Sequence, residues 1–253
     1  MNADLALALR LADAADEISM RHFLDLDLAV ESKPDQTPVT EADRGVERAL
    51  RAILAQERPD DAIIGEEYGA DTPADRSWII DPIDGTKSYV RGVPVWATLI
   101  ALQVARKGVV GVVSAPALQR RWWASAGDGA YADGRRIRVS KLAQLAEASF
   151  SYSEMADWES AGRLDGFLEL NRTVARNRGY GDFWSYMLVA EGAVDIAAEA
   201  EVSLWDVAPL QVILEEAGGA FTDLSGAATA HGGSALGTNG LLHAEALRLL
   251  TAD

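Results

Sequence analysis

The stretch Trp78-Ile79-Ile80-Asp81-Pro82-Ile83-Asp84-Gly85-Thr86 constrains this chain more than any other. Trp78 to Ile80 is an apolar run that reads as a short buried strand ending on Asp81. Pro82 has no N–H to give a sheet, so the strand is expected to stop there. Asp84-Gly85-Thr86 then reads as a turn entering a helix. Two carboxylates three residues apart at a strand's end can face one point, and that point suits a hard cation such as Mg²⁺, which takes oxygen ligands. The amides of Gly85 and Thr86, at a helix start, can hold a phosphate beside it. The same spacing also fits an Asx-turn in which Asp84 caps the helix.

The rest of the composition narrows the chemistry. A chain of 253 residues with 49% hydrophobic and 25% charged residues can bury a full core without staples. It has no cysteine, which excludes disulfides, thiolate metal sites and cysteine nucleophiles. With only His22, His231 and His243, a histidine-rich zinc site is not expected. The formal net charge of −16 repels nucleic acid and anionic membranes. An anionic ligand needs local positive charge, which bound Mg²⁺ supplies. There is no basic segment followed by an apolar run at the N-terminus and no apolar stretch of spanning length, so a cytoplasmic protein is expected.

In chain order, apolar spacing predicts a helix over 4–28, a polar loop from Lys33 to Pro38, and a second helix capped by Thr40 with Asp43 in a capping box. Ala62 to Gly65 reads as a strand running into Glu66-Glu67. Ala97–Ala105, Val109–Val113 and Arg121–Ala126 read as antiparallel strands, so the first half is two helices followed by a meandering sheet. Beyond a soft boundary near 140–148, Ala148–Tyr152, Thr173–Ala175 and Val194–Ala198 read as strands. Asp182–Glu191, Asp206–Ala217 and Ala244–Leu250 read as helices. Residues 1–253 are expected to form a single domain.

Five acids stand at element boundaries: Asp43, Glu66, Asp81, Asp84 and Asp206. Each also fits a structural role, as a first-turn acid, a loop charge or, for Asp206, a helix N-cap. Together they lie where ligand crevices form in mixed α/β sheets, and buried acids need paired charge or metal.

Gly65-Glu66-Glu67, Asp81-Pro82-Ile83-Asp84-Gly85-Thr86 and Trp205-Asp206-Val207-Ala208-Pro209 before Glu215-Glu216-Ala217-Gly218-Gly219 resemble the inositol monophosphatase family. Gly111 to Pro116, Gly127 to Tyr131 and Arg136 to Ser140 are similar to its middle, so the likeness runs from Lys33 to Asn239. The resemblance implies a layered αβαβα sandwich and Mg²⁺-dependent hydrolysis of a small phosphate monoester, with two or three ions per site and a homodimeric state. It implies that Glu66, Asp81 and the Ile83 carbonyl hold one metal, and that Asp81, Asp84 and Asp206 hold a second. Glu66 would also reach a third, weaker ion through water. It further implies that Asp43 and Thr86 orient and deprotonate the attacking water, that Gly85 and Thr86 cradle the phosphate, and that Lys33 lies near the metals.

The substrate is expected to be read by Arg178, Asp182 and Glu199. Glu199 matches a family position that contacts the alcohol. Members acting on L-histidinol phosphate resemble this chain in having Gly-Asp followed by an aromatic, here Gly181-Asp182-Phe183, whereas inositol-selective members carry a small residue. A carboxylate pair suits the cationic histidinol and is costly beside a neutral polyol. Asp182 also fits a helix N-cap. Three readings stay open: a histidinol-phosphate phosphatase, an inositol-1-monophosphatase or broad small-molecule phosphatase, and a regulatory binding protein on a silent scaffold. Bisphosphate substrates are less expected, because no second basic phosphate site is evident.

Overall fold

The computed structural model describes residues 2–25, 30–32, 38–72 and 74–251. Helix α1 (Ala3–His22) is capped by Asn2, whose side chain accepts from the Asp4 and Leu5 amides. It stops well short of residue 28, because the chain turns to seat Phe23 on Tyr89 and Trp96, with ring centroids 5.4 and 5.3 Å away. Leu26 and the loop containing Lys33 lie outside the described residues. A short pair, β1 (Val30–Ser32) and β2 (Pro38–Thr40), leads into α2 (Glu41–Glu57). The expected capping box is present, with the Asp43 carboxylate accepting from the Thr40 amide at 2.8 Å.

Strands β3 (Ala62–Gly65), β4 (Gly69–Ala70) and β5 (Arg76–Asp84) follow, then the one-turn helix α3 (Thr86–Val90). The meander continues as β6 (Ala97–Val104), β7 (Lys107–Ala115), β8 (Arg120–Ser125), β9 (Gly129–Ala132) and β10 (Arg135–Arg136). These eight strands form one sheet in the order β10-β9-β8-β7-β6-β5-β3-β4, with β3 and β5 parallel. Strand β5 does not stop at Pro82. It pairs with β6 through Asp81↔Leu99, slips register, and resumes at Asp84↔Ala97. The irregularity absorbs the missing proline N–H, while the Pro82 carbonyl accepts from Thr98 Oγ at 2.8 Å.

The second half begins with β11 (Ser149–Ser151), α4 (Met155–Ser160), α5 (Leu164–Thr173), β12 (Arg176–Arg178) and α6 (Asp182–Ala190). It ends with β13 (Ile196–Glu199), α7 (Leu204–Glu216), β14 (Ala220–Thr222), β15 (Ala235–Thr238) and α8 (His243–Leu250). The five strands are ordered β12-β11-β13-β15-β14. Where a strand was expected at Thr173–Ala175, the chain is finishing α5. The Val174 amide closes that helix on the Leu170 carbonyl, its side chain is buried, and the strand is displaced to Arg176.

Side-chain alternation builds the layers. Trp78, Ile80, Ile100 and Leu102 face α1 and α2, while Ile79, Leu99 and Ala101 face the opposite way, onto α6 and α7. Ala197 and Ala235 meet those two helices from the second sheet, whose other face packs Phe150, Ile196 and Leu236 against α4, α5 and α8. The result is a five-layer αβαβα sandwich. Among the described residues no helix is long and apolar enough to cross a membrane.

Candidate active site

The central pair α6 and α7 starts where strands β5 and β13 end, and those ends enclose a cavity of about 480 Å³. Its walls hold Asp81, Ile83 and Asp84 from the end of β5, Glu66 from the turn after β3, and Gly85 and Thr86 from the start of α3. Asp206 enters from the first turn of α7, Asp182 from the start of α6 and Glu199 from the end of β13.

Asp81, Asp84 and Asp206 each place a carboxylate oxygen within 4.8 Å of the others. Asp81 is almost wholly buried and accepts from the Ile83 amide at 3.0 Å. Asp206 is the third residue of α7 and not its N-cap; Ser203 takes that place, and its amide donates to Asp206 Oδ2 at 2.7 Å. Burial, then the charges of Glu66, Asp84 and Asp206, push the Asp81 carboxyl well above the usual carboxylate range. Asp84 is raised in the same way, by burial and then by Asp182 and Asp206, against a lowering bond from the Phe183 amide. Crowded carboxylates of this kind are a hard-oxygen donor set that a divalent cation stabilises, so the residues fit a metal such as Mg²⁺.

The Asp43–Thr86 pair lies beside this cluster. Thr86 Oγ1 donates to the Ile83 carbonyl at 2.9 Å and lies 3.3 Å from Asp43 Oδ1. One hydroxyl proton can serve one of these acceptors at a time, which leaves the other free to accept from a water. Asp43 is fully buried, and its carboxyl is raised by burial, with Thr40 opposing and Glu66 adding.

Across the cavity, Asp182 and Glu199 are joined through Ser153, which sequence reading did not single out. Its hydroxyl donates to Glu199 Oε1 and accepts from the Asp182 amide at 2.8 Å. Asp182 has φ 47°, a left-handed conformation that is costly for a non-glycine residue. The N-cap of α6 is Gly181, so Asp182 does not take the capping role. Its carboxyl is pushed up to about 6, by burial and then the charge of Glu154. Burial lifts Glu199 to about 8, with Ser153 opposing and Asp182 and Asp206 adding. The buried Tyr186 hydroxyl lies beside Glu199, and among the described residues it has no hydrogen-bond partner in good geometry. Glu154, Asp157 and Glu201 add further carboxylates to the cavity lining, where Lys87 pairs with Glu154 at 2.7 Å. These residues carried no motif that pointed to them. Arg178 does not join the cavity. It ends the edge strand β12 with its side chain exposed, donating to the Asn177 carbonyl. Lys33 lies outside the described residues.

The chain is 55% identical to a histidinol-phosphatase of Streptomyces coelicolor, over 98% of its own length and 96% of the relative's. It is 56% identical to a histidinol-phosphatase of Mycobacterium tuberculosis, over 98% of both chains. Among solved structures, it superposes on a Thermotoga maritima IMPase with TM-score 0.89 at 33% identity, covering 98% of this chain and 97% of that one. An inositol monophosphatase from Zymomonas mobilis matches with TM-score 0.89 at 32% identity over 100% of both chains. The inositol monophosphatase family model matches residues 2–252, and the chain belongs to that family.

Proposed function

We propose that this chain hydrolyses L-histidinol phosphate to L-histidinol and phosphate, with Mg²⁺ held by Glu66, Asp81, the Ile83 carbonyl, Asp84 and Asp206. The observation that carries the substrate is Asp182. Its carboxylate lines the same cavity as Asp84 and Glu199, it is not the cap of α6, and among the described residues no hydrogen bond reaches it. A half-buried acid whose carboxylate accepts no hydrogen bond among the described residues, beside a second acid, is a site for a cation. Both histidinol-phosphatase relatives support that choice.

In this reading the Gly85 and Thr86 amides hold the phosphate, and Asp43 takes a proton through Thr86 from the attacking water. Asp182 and Glu199 receive the cationic alcohol. Bound Mg²⁺ would lower the pKa of water and neutralise phosphoryl oxygens. We further propose that residues 1–253 act as one catalytic domain with a soft boundary near 140–148, in a cytoplasmic homodimer; sedimentation of the purified protein tests the dimer.

The substrate assignment is tested by kcat/KM for histidinol phosphate, inositol 1-phosphate and an aryl phosphate on wild type and Asp182→Asn. A charge-assisted hydrogen bond is worth roughly 1.5–3 kcal/mol, on the order of 10–150-fold. That loss is expected for histidinol phosphate, with little change for the other two. Equal losses on all three esters, or none, contradict the cation pocket. No phosphate release from any ester points instead to a regulatory binding protein.

A further inference from the structure

Helix α2 carries a row of charged residues one turn apart, Asp43, Glu47 and Arg51, on the face turned toward the active-site strands. Asp43 reaches Thr86, as described above. Glu47 is fully buried, yet no sequence motif drew attention to it. Its Oε2 accepts from the Glu67 amide at 2.7 Å, and its Oε1 accepts from the Tyr68 amide at 3.3 Å and from Arg51 Nε at 2.8 Å. Arg51 in turn donates to the Gly69 carbonyl and to Asp71 Oδ1. Both sides of the three-residue turn between β3 and β4 are therefore tied to α2, and that turn begins with Glu66.

Gly65 makes the arrangement possible. A Cβ there would overlap the Glu47 carboxylate. The Gly65 φ is not in the left-handed region, so its lack of a side chain serves the close approach and not the backbone angle. Glu66 is thus flanked by a residue that makes room for Glu47 and by one whose amide is bonded to it.

We infer that Glu47 is the positioning residue of Glu66: it fixes the turn that aims the Glu66 carboxylate at the cavity and so sets the affinity of the site for its divalent cation. The inference rests on the proposed role of Glu66 as a ligand. Hydrogen bonds behind a ligand typically govern 10–100-fold in metal affinity.

The test titrates full-length, metal-free protein with Mg²⁺ alone in a calorimeter, using wild type, Glu66→Gln, Glu47→Gln, Glu47→Asp, Gly65→Ala, Glu47→Ala and the Gly65→Ala/Glu47→Ala double variant. Glu47→Gln is expected to raise the Mg²⁺ Kd by roughly 10–100-fold. Glu47→Asp, which keeps the charge but shortens the reach, should weaken binding too. At saturating Mg²⁺ the KM for the phosphate ester should stay at its wild-type value, because Glu47 touches nothing on the alcohol side. Gly65→Ala should weaken Mg²⁺ by displacing the carboxylate, and should have no further effect in a Glu47→Ala background. Gly65→Ala also reads the same contact if Glu47→Gln fails to fold. If Glu66→Gln weakens Mg²⁺ binding and neither Glu47→Gln nor Gly65→Ala does, the positioning role is wrong and the ligand assignment stands. If Glu66→Gln itself leaves Mg²⁺ binding unchanged, the ligand assignment fails, and the inference with it.

Discussion

Asp84 touches both halves of the cavity. Its carboxylate belongs to the triad with Asp81 and Asp206, and it accepts from the Phe183 amide at the start of the helix that carries Asp182. Asp84→Asn keeps the shape and removes the charge, so activity in Mg²⁺ should fall by at least ~10²-fold, with the far-ultraviolet dichroism unchanged. Normal turnover of Asp84→Asn would remove that residue from the metal site. Ser153 makes a finer distinction. Ser153→Ala releases Glu199 and the left-handed Asp182 together, so kcat/KM should drop for a cationic ester and stay level for an aryl phosphate. Parallel loss on both esters would mean that the hydroxyl holds the fold and not the substrate acids. The acids that begin or end elements were legible in the sequence, because strand ends and turn residues announce themselves. Ser153 and Glu47 were not. Each acts through backbone amides far along the chain, at separations of 29 and 20 residues, and no local pattern encodes such a partner.

At the scale of elements, α7 must sit against the first sheet for Asp206 to reach Asp81. Gly111 on β7 sets that distance, since a Cβ there would lie 2.6 Å from the Pro209 carbonyl oxygen. The clash is with backbone and cannot relax by a rotamer change. Gly111→Ala should cost roughly 1–3 kcal/mol, seen as a lower Tm, and should also weaken Mg²⁺ binding because Asp206 moves with the helix. A Tm loss with unchanged Mg²⁺ affinity would show that the triad tolerates a shift of α7. Helices α1, α2, α6, α7 and α8 and the meander were readable from periodicity, whereas α4 and α5 were not read at all, and the caps of α6 and α7 fall on Gly181 and Ser203. The elements misplaced by the sequence were those decided by tertiary contacts. Aromatic packing of Phe23 ends α1 early, and sheet pairing carries β5 past a proline.

At the scale of the whole molecule, the acids gathered in one cavity make stability depend on pH and cation. Glu199 is raised from its ordinary 4.5 to about 8. A carboxyl whose folded-state pKa is raised binds more protons folded than unfolded. Its contribution is therefore complete below pH 4.5 and is lost as pH rises toward about 8. Metal-free protein should lose Tm across that window, Glu199→Gln should flatten the slope, and Mg²⁺ should raise Tm most at the alkaline end, where it binds the ionised triad. A Tm that climbs with pH in metal-free protein would contradict this electrostatic account.

A cavity that joins a divalent-metal phosphatase site to an acidic pocket for a cationic alcohol must need the metal and favour the cationic ester. Both requirements are read by phosphate release from L-histidinol phosphate and inositol 1-phosphate, each with Mg²⁺ and with a chelator. Release should depend on Mg²⁺, with a kcat/KM for histidinol phosphate at least about tenfold above that for inositol phosphate, the lower bound for one charge-assisted hydrogen bond. Equal or greater turnover of inositol phosphate, or release untouched by the chelator, would contradict that reading of the cavity.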